Sequence, residues 1–234
     1  MLLAAEIHRV LVPPIDTQIG TFEFCARSLP SGEVGGDLVD VFAHNQDWIA
    51  YVADVSGHGV APGVVMAMVK SAARMQLSSN SEKDGALLAR LNDVLYPIKK
   101  PEMFVTFAYL ACNDGQLEYC TAGHPSILHF HAGSSQISGL ECSNFPVGMF
   151  NHRQFETGSV AAQAGDVFLM FTDGVVEVVN KQDEEFGLSA IKEVLTANST
   201  RPLAEIVAAL ITATNLHGHA EDDRSLLLVK IMPV

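Results

Sequence analysis

The sequence predicts one α+β domain in which mainly antiparallel sheets are covered by helices. Apolar runs joined by short polar turns outnumber strand–helix–strand units, which favours hairpins over a parallel sheet. The chain has 234 residues, of which 48% are hydrophobic, so it can build a sizeable core. Neither an internal repeat nor a long linker divides it, and we therefore predict a single core.

The first half of the chain combines a hairpin with two helices. Two apolar runs flank the polar turn at 43–47, and Pro62 stands where a long helix would begin. Apolar residues recur at helical spacing in the two segments that follow. The predicted elements are strands at 21–29, 38–42 and 48–54 and helices at 62–77 and 86–98.

The second half is richer in strands. Asp114-Gly115 is a strong turn signal between two apolar runs, and the Gly/Ser-rich segment 132–139 is predicted to be a loop. The predicted elements are strands at 104–111, 116–121, 127–131, 154–160, 166–171 and 226–231 and helices at 188–196 and 202–216.

Two acids face each other across the first hairpin. If it folds about Asn45 and Gln46, Asp37 falls opposite Asp54. Such residues have Cα atoms about 4.5–5.5 Å apart, and like charges placed there repel. Either register and twist separate the carboxylates into solvent, or a divalent cation such as Mg²⁺ or Mn²⁺ lies between them. The hairpin alone leaves both interpretations open.

Two further acids stand at strand ends. Asp173 follows the strand at 166–171, and Asp222 precedes the last strand. Each acid alone is also ordinary turn chemistry. In antiparallel sheets, however, all four acids could gather at one rim, where only Arg224 is a nearby basic residue in the sequence. Two divalent ions at such a rim could hold a phosphate and activate water for in-line attack.

The motifs that carry these acids resemble a known family. In order along the chain they are EVGGDLVD (33–40), ADVSGHG (53–59), TAGHP (121–125), FTDGVVE (171–177) and EDD (221–223). Together they resemble the SpoIIE/RsbU-type branch of the metal-dependent (PPM) protein serine/threonine phosphatases. The resemblance implies a four-layer α-β-β-α sandwich and a centre with two Mn²⁺ or Mg²⁺ ions.

The resemblance also implies roles for individual residues. Asp54 would bridge the two ions, and the Val55 backbone carbonyl would bind one of them. Asp173 and Asp222 would complete the coordination of the other ion. Asp37 would bind a metal ion directly or through water.

Other residues near these motifs have alternative interpretations. Asp223 adjoins Asp222, and the first acid of this pair is the preferred ligand. His58 could donate a proton to the leaving serine oxygen, or it could be only part of a glycine-rich turn. His124 is predicted to be structural, and the His129-x-His131 and His217-x-His219 pairs are predicted to be surface residues.

The function implied by the resemblance is hydrolysis of phosphoserine or phosphothreonine on a bacterial regulatory protein, by direct attack of a metal-activated water. The implied partner is a phosphorylated STAS-domain protein of the anti-anti-sigma type. Two alternatives are a catalytically silent signalling module of the same fold and a hydrolase of small phosphoesters. We expect residues 15–234 to form the phosphatase domain.

The apolar spacing within residues 1–14 predicts a short helix that ends at Pro13-Pro14. It could be the stub of a linker to an upstream sensor or receiver domain, or a helix that caps this domain. A homodimer formed through this helix is a further expectation.

Composition excludes several other classes. The net charge is −13, with 27 acidic and 14 basic residues, which argues against binding to nucleic acid or to an anionic membrane. No apolar run approaches the roughly 20 residues that span a bilayer. The four cysteines lack a CxxC pair, so free thiols in a reducing cytoplasm are expected.

Overall fold

The computed structural model describes residues 2–57, 59–78, 86–100 and 102–233. His58, for which the sequence left both a proton-donor role and a turn role open, lies outside these residues. No helix in the described ranges has the length and apolar character needed to cross a membrane.

Two antiparallel sheets form the centre of the molecule. One has six strands in the order β1-β2-β11-β10-β7-β8, and the other has five in the order β3-β4-β5-β6-β9. The strands are β1 Ile15–Ile19, β2 Phe22–Leu29, β3 Leu38–His44, β4 Asp47–Val55, β5 Val105–Asn113, β6 Gln116–Ala122, β7 Ile127–His131, β8 Gln136–Leu140, β9 Gly158–Val160, β10 Val167–Phe171 and β11 Arg224–Ile231.

Helices cover both outer faces. In the described chain these are α1 Leu2–Leu11, α2 Val60–Ser78, α3 Ala86–Leu95, α4 Gly187–Asn198 and α5 Leu203–His217. Helix α2 packs on β3 and β4 of the five-stranded sheet and contacts α1 and α3, whereas α5 packs on β2 and β11 of the six-stranded sheet and contacts α4. The predicted four-layer α-β-β-α sandwich is therefore confirmed.

The core explains why the sequence of β10 is apolar at every position. All five of its residues are buried. Phe168 and Met170 belong to the cluster that includes the five-stranded sheet, while Val167, Leu169 and Phe171 pack with α4 and α5. Because successive side chains point to opposite faces, a strand that is buried on both faces must be apolar throughout.

The structure differs from the sequence prediction mainly at sheet edges. Strand β1 was not predicted, and β8 lies within and beyond the segment predicted to be a loop. Both are edge strands with largely polar or exposed residues. Backbone pairing holds them in place, and the apolar alternation on which the prediction relied is missing. Strand β9 is shorter than predicted, and α3 ends at Leu95.

A buried ion cluster joins α1 and α2 to the five-stranded sheet. The Asp40 carboxylate on β3 accepts hydrogen bonds from Tyr51 Oη at 2.9 Å and from Arg74 Nε at 2.7 Å. Lys70 Nζ lies 3.4 Å from the same carboxylate and donates to the Leu11 carbonyl at the end of α1. One carboxylate thus anchors two helices to the strand that follows Asp37.

We predict that Asp40→Asn lowers the free energy of unfolding by about 2–4 kcal/mol, because it leaves Arg74 and Lys70 without their buried counter-charge. Asp16→Asn is the matched control. It removes the 2.8 Å ion pair with Arg27, in which both side chains are partly exposed, and it should cost less than about 1 kcal/mol. Urea denaturation measures both, and equal losses would contradict the assignment of Asp40 as the main anchor.

Candidate metal centre

The hairpin register brings Asp37 and Asp54 together. Leu38 pairs with Ala53, so one step further along both strands Asp37 lies opposite Asp54. The turn falls at Asn45-Gln46 as expected, and Asn45 has a φ of 58°. Asp37 is buried and Asp54 is half-buried. The carboxylates are therefore not separated into solvent.

The six-stranded sheet brings Asp173 and Asp222 to the same rim. Phe171 pairs with Leu226, and beyond this pair Thr172 N donates to Ser225 O at 3.1 Å. Asp173 then opens a short 3-10 helix, and Asp222 precedes β11. A Cβ on Gly174, the residue after Asp173, would lie 3.3 Å from the Asp222 Cβ, and the charge of each of these two acids raises the pKa of Asp54.

Thr172 connects the two sheets at this rim. Its buried hydroxyl donates to Asp37 Oδ2 at 2.8 Å and accepts a hydrogen bond from Ser225 N at 3.0 Å. Sequence analysis did not identify Thr172 as a site residue. Its position directly before Asp173 within the FTDG motif was the only available signal.

Burial, and after it mutual repulsion, disfavours the charged form of three of these acids. Burial, and then the charge of Asp173, raise the pKa of Asp54 to about 7. Burial, and then the charge of Asp54, raise the pKa of Asp37 well above its usual range. Burial and the charge of Asp222 likewise raise the pKa of Asp173. In the part of the chain that the structure describes, no Lys or Arg forms an ion pair with these carboxylates or with Asp222.

Two glycines allow the backbone to close around the acids. A Cβ atom on Gly36 would lie 2.8 Å from the Val55 carbonyl oxygen and 3.5 Å from Asp54 Oδ1. A Cβ on Gly174 would lie 2.1 Å from the Asp223 carbonyl oxygen. Any side chain at these positions would force the segments apart. The same distances place the Val55 carbonyl at the rim beside Asp54.

Asp222 and Asp223 have different environments. Asp223 is buried, and its carboxylate accepts hydrogen bonds from Ser31 N at 2.7 Å and Gly36 N at 2.8 Å. Asp222 is exposed, and its Oδ1 accepts a hydrogen bond from Asp223 N. Asp223 therefore holds the 31–36 loop in place, which supports Asp222 as the acid available to a ligand.

The donor set suits a hard divalent cation. Carboxylates and a backbone carbonyl are the oxygen ligands that Mg²⁺ and Mn²⁺ take. Such an ion would neutralise the charge that raises the pKa values of these acids. Asp37, Asp54, Asp173, Asp222 and the Val55 carbonyl could hold it.

Two histidines discussed above, His124 and His129, have buried ring nitrogens. Both ring nitrogens of His124 are buried without a hydrogen-bond partner in the described ranges, and burial lowers the pKa of this imidazole to about 3. The surface prediction is wrong for His129, which is fully buried and lies 2.9 Å from Asp166 Oδ2. It clusters with His131 and Asp166, whose potential ligand atoms lie within 4.8 Å of one another.

The cluster of His129, His131 and Asp166 cannot join the acidic rim. It lies at the opposite end of β7 and β10, where Val167 pairs with Phe130. Asp166 also accepts hydrogen bonds from the backbone N–H groups of Ala132 and Gln163, so its carboxylate is already engaged.

The first prediction from this centre concerns pH in the presence of EDTA. A carboxyl group whose pKa rises from 3.8 in the unfolded chain to about 7 in the folded one contributes stability at low pH. That contribution is lost as the pH rises through about 7. Urea denaturation between pH 5 and 8 should show this loss in the wild type and a smaller one in Asp54→Asn. Adding Mn²⁺ should restore wild-type stability near pH 7, and identical pH profiles for the two proteins would contradict the prediction.

The second prediction separates the neighbouring acids. Asp222→Asn should weaken Mn²⁺ binding at least about tenfold with little effect on folding, because an exposed ligand is lost. Asp223→Asn should cost about 2–3 kcal/mol of folding free energy, because the N–H groups of Ser31 and Gly36 lose their charged acceptor. Isothermal titration calorimetry and urea denaturation of both variants measure the two effects. The reverse assignment would follow if Asp223→Asn alone abolished Mn²⁺ binding.

Comparison with known proteins places this arrangement among phosphatase folds. Phosphoserine phosphatase RsbU of Bacillus subtilis (strain 168) is 24% identical over 177 residues, which are 75% of this chain and 52% of that protein. The chain spans about half or less of the length of the curated relatives it matches.

Solved structures share the fold at low identity. The RsbU and RsbW domains of Rv1364c from Mycobacterium tuberculosis superpose with a TM-score of 0.82 at 24% identity, covering 94% of this chain and 62% of that one. The catalytic domain of the serine threonine protein phosphatase PstP, in complex with 2 manganese ions, superposes with a TM-score of 0.69 at 15% identity, covering 91% and 99%. The family described as stage II sporulation protein E (SpoIIE) matches residues 44–232. This match covers most of the chain, which therefore belongs to the SpoIIE family.

Proposed function

We propose that this protein is a metal-dependent protein serine/threonine phosphatase that acts on a bacterial regulatory protein. The observation that carries the proposal is the gathering of Asp37, Asp54, Asp173 and Asp222 at one rim, with raised pKa values for the first three. Membership of the SpoIIE family supports it.

The proposed centre holds two Mn²⁺ or Mg²⁺ ions. Asp54 would contact both, the Val55 carbonyl would contact one, Asp173 and Asp222 would complete the other, and Asp37 would bind directly or through water. Ions bound there supply Lewis acidity, which neutralises phosphoryl oxygens and activates water for in-line attack.

The chain's own residues position these ligands. Thr172 donates to one oxygen of Asp37 and so fixes the orientation of that buried carboxylate. Asp223 holds the loop that ends at Gly36, and Gly36 permits the close approach of the Val55 carbonyl. His58, three residues after Val55 in the sequence, is our candidate for donating a proton to the leaving oxygen.

The proposed substrate is a phosphorylated STAS-domain partner, in keeping with the partner that the family resemblance implies. RsbU is named a phosphoserine phosphatase, and we transfer that specificity to this chain. We further propose that α1 leads to an upstream sensor or receiver domain, that it can pair two copies of the chain, and that the reaction takes place in the cytoplasm.

The test is phosphate release from a phosphoserine-bearing STAS-domain protein with Mn²⁺, with Mg²⁺ and with EDTA. We expect release with a divalent ion and none with EDTA. Asp54→Asn and Asp173→Asn should each reduce the rate at least about a thousandfold, because each removes a charged ligand. Asp183→Asn is the control, since Asp183 is exposed in a turn outside the four acids and tolerates Asn at its φ of 59°.

The same assay separates the alternatives. Equal rates on free phosphoserine and on the folded phosphoprotein would favour a hydrolase of small phosphoesters. Tight Mn²⁺ binding without release from any phosphoprotein would favour a silent signalling module. Full activity of Asp54→Asn would contradict the proposed centre.

A further inference from the structure

Two of the four cysteines lie side by side at the edge of the five-stranded sheet. Asn144 forms a parallel bridge with Ala122 at the end of β6. Two residues earlier along each segment are Cys142 and Cys120. Neighbouring strands lie about 4.8 Å apart, and disulfides join Cα atoms that are about 4.4–6.8 Å apart. The register therefore places these cysteines at disulfide distance.

Side-chain contacts show that each thiol lies beside a chain neighbour of the other cysteine. The Cys120 thiol donates to the Glu156 carbonyl at 3.2 Å. Asn144 Nδ2 lies 3.3 Å from Cys120 Sγ, and Cys142 Sγ lies 4.0 Å from the Tyr119 carbonyl. Cys120 is fully buried and Cys142 is half-buried. Solvent can therefore reach the pair from the Cys142 side.

We propose that Cys120 and Cys142 form an oxidation site that a peroxide converts to an intramolecular disulfide. The Cys142 thiolate attacks one oxygen of hydrogen peroxide, the O–O bond breaks, and hydroxide leaves to give a sulfenic acid on Cys142. The Cys120 sulfur then attacks Cys142 Sγ, the S–O bond breaks, and a second hydroxide leaves. The two hydroxides take the two thiol protons, so two thiols are oxidised and one peroxide is reduced to two waters.

The order of the two steps follows from burial. The pKa of the Cys120 thiol is raised well above its usual value. Burial is the largest cause, and the neighbouring Cys142 raises this pKa further. Thiolates are the reactive form. Cys142, which is more accessible, therefore meets the peroxide first, and Cys120 acts as the resolving thiol because the bridge register places it beside Cys142.

The other two cysteines provide an internal control. Burial raises the pKa of the Cys25 thiol to about 12 and also raises that of Cys112. Cys25 contacts Asp16 on β1 and lies in the other sheet, whereas Cys112 lies near the far end of β5. Neither shares the bridge beside Ala122.

A disulfide here would lock the base of a surface loop that reaches the acidic rim. Asn144 and Glu156 exchange two hydrogen bonds of 2.8 Å, which close the base of the 145–155 loop. Within that loop Val147 pairs with Val105, which itself pairs with Val55. The oxidation chemistry needs no metal ion and no phosphoprotein, so it stands independently of the proposed phosphatase activity.

The experiment treats the reduced full chain with hydrogen peroxide, blocks the remaining thiols with an alkylating agent under denaturing conditions and maps the peptides by mass spectrometry. We expect two of the four thiols to disappear and one crosslinked peptide to join Cys120 to Cys142. Oxidation should raise Tm by roughly 5 °C, because the unfolded chain is constrained. Dithiothreitol should reverse both changes.

Variants test the pairing. Cys142→Ser should abolish the crosslink and leave Cys120 open to alkylation, whereas the Cys25→Ser/Cys112→Ser double variant should keep it. An uncrosslinked wild type, oxidation of Cys142 to the sulfinic acid alone, or disulfides between chains would each overturn the proposal. Mapping of the wild type decides the question even if a variant fails to fold.

Discussion

The repulsion among four carboxylates at one rim is the constraint on which the rest of the structure depends. Asp37 and Asp54 come from one sheet, whereas Asp173 and Asp222 flank strands of the other. Without a divalent ion, the rim would relax if the sheets could slide apart. The Thr172 hydroxyl, bonded to Asp37 and to Ser225 N, opposes that movement.

The surrounding loops carry a second level of restraint. The Asp223 carboxylate accepts hydrogen bonds from backbone N–H groups of the 31–36 loop, whereas its neighbour Asp222 stays exposed at the rim. Of the two adjacent acids, Asp223 therefore has a structural role, and Asp222 is the one proposed to bind a metal ion. The ion cluster around Asp40 stabilises β3, the strand that follows this loop. Arg74 and Lys70 reach the Asp40 carboxylate from α2.

Sequence reasoning predicted the hairpin register because a short polar turn fixes the pairing of both its strands. Once the turn falls at Asn45-Gln46, the position of Asp37 opposite Asp54 follows. The motifs likewise predicted the fold. What the sequence could not show was contact between distant segments, such as the Thr172 bridge, the 31–36 loop held by Asp223, or the approach of Cys142 to Cys120. His129 was misassigned because nothing in its local sequence shows that Asp166 and Phe168 enclose it.

The two edge strands that sequence patterning missed have a consequence for the behaviour of the protein at high concentration. An edge strand presents unpaired N–H and C=O groups to other chains, and long apolar edges invite intermolecular pairing and aggregation. Here β1 carries Asp16, Thr17 and Gln18 at exposed positions, and β8 is short and contains Gly139. The polar and exposed residues that left these strands without apolar alternation therefore also protect the six-stranded sheet from pairing between molecules.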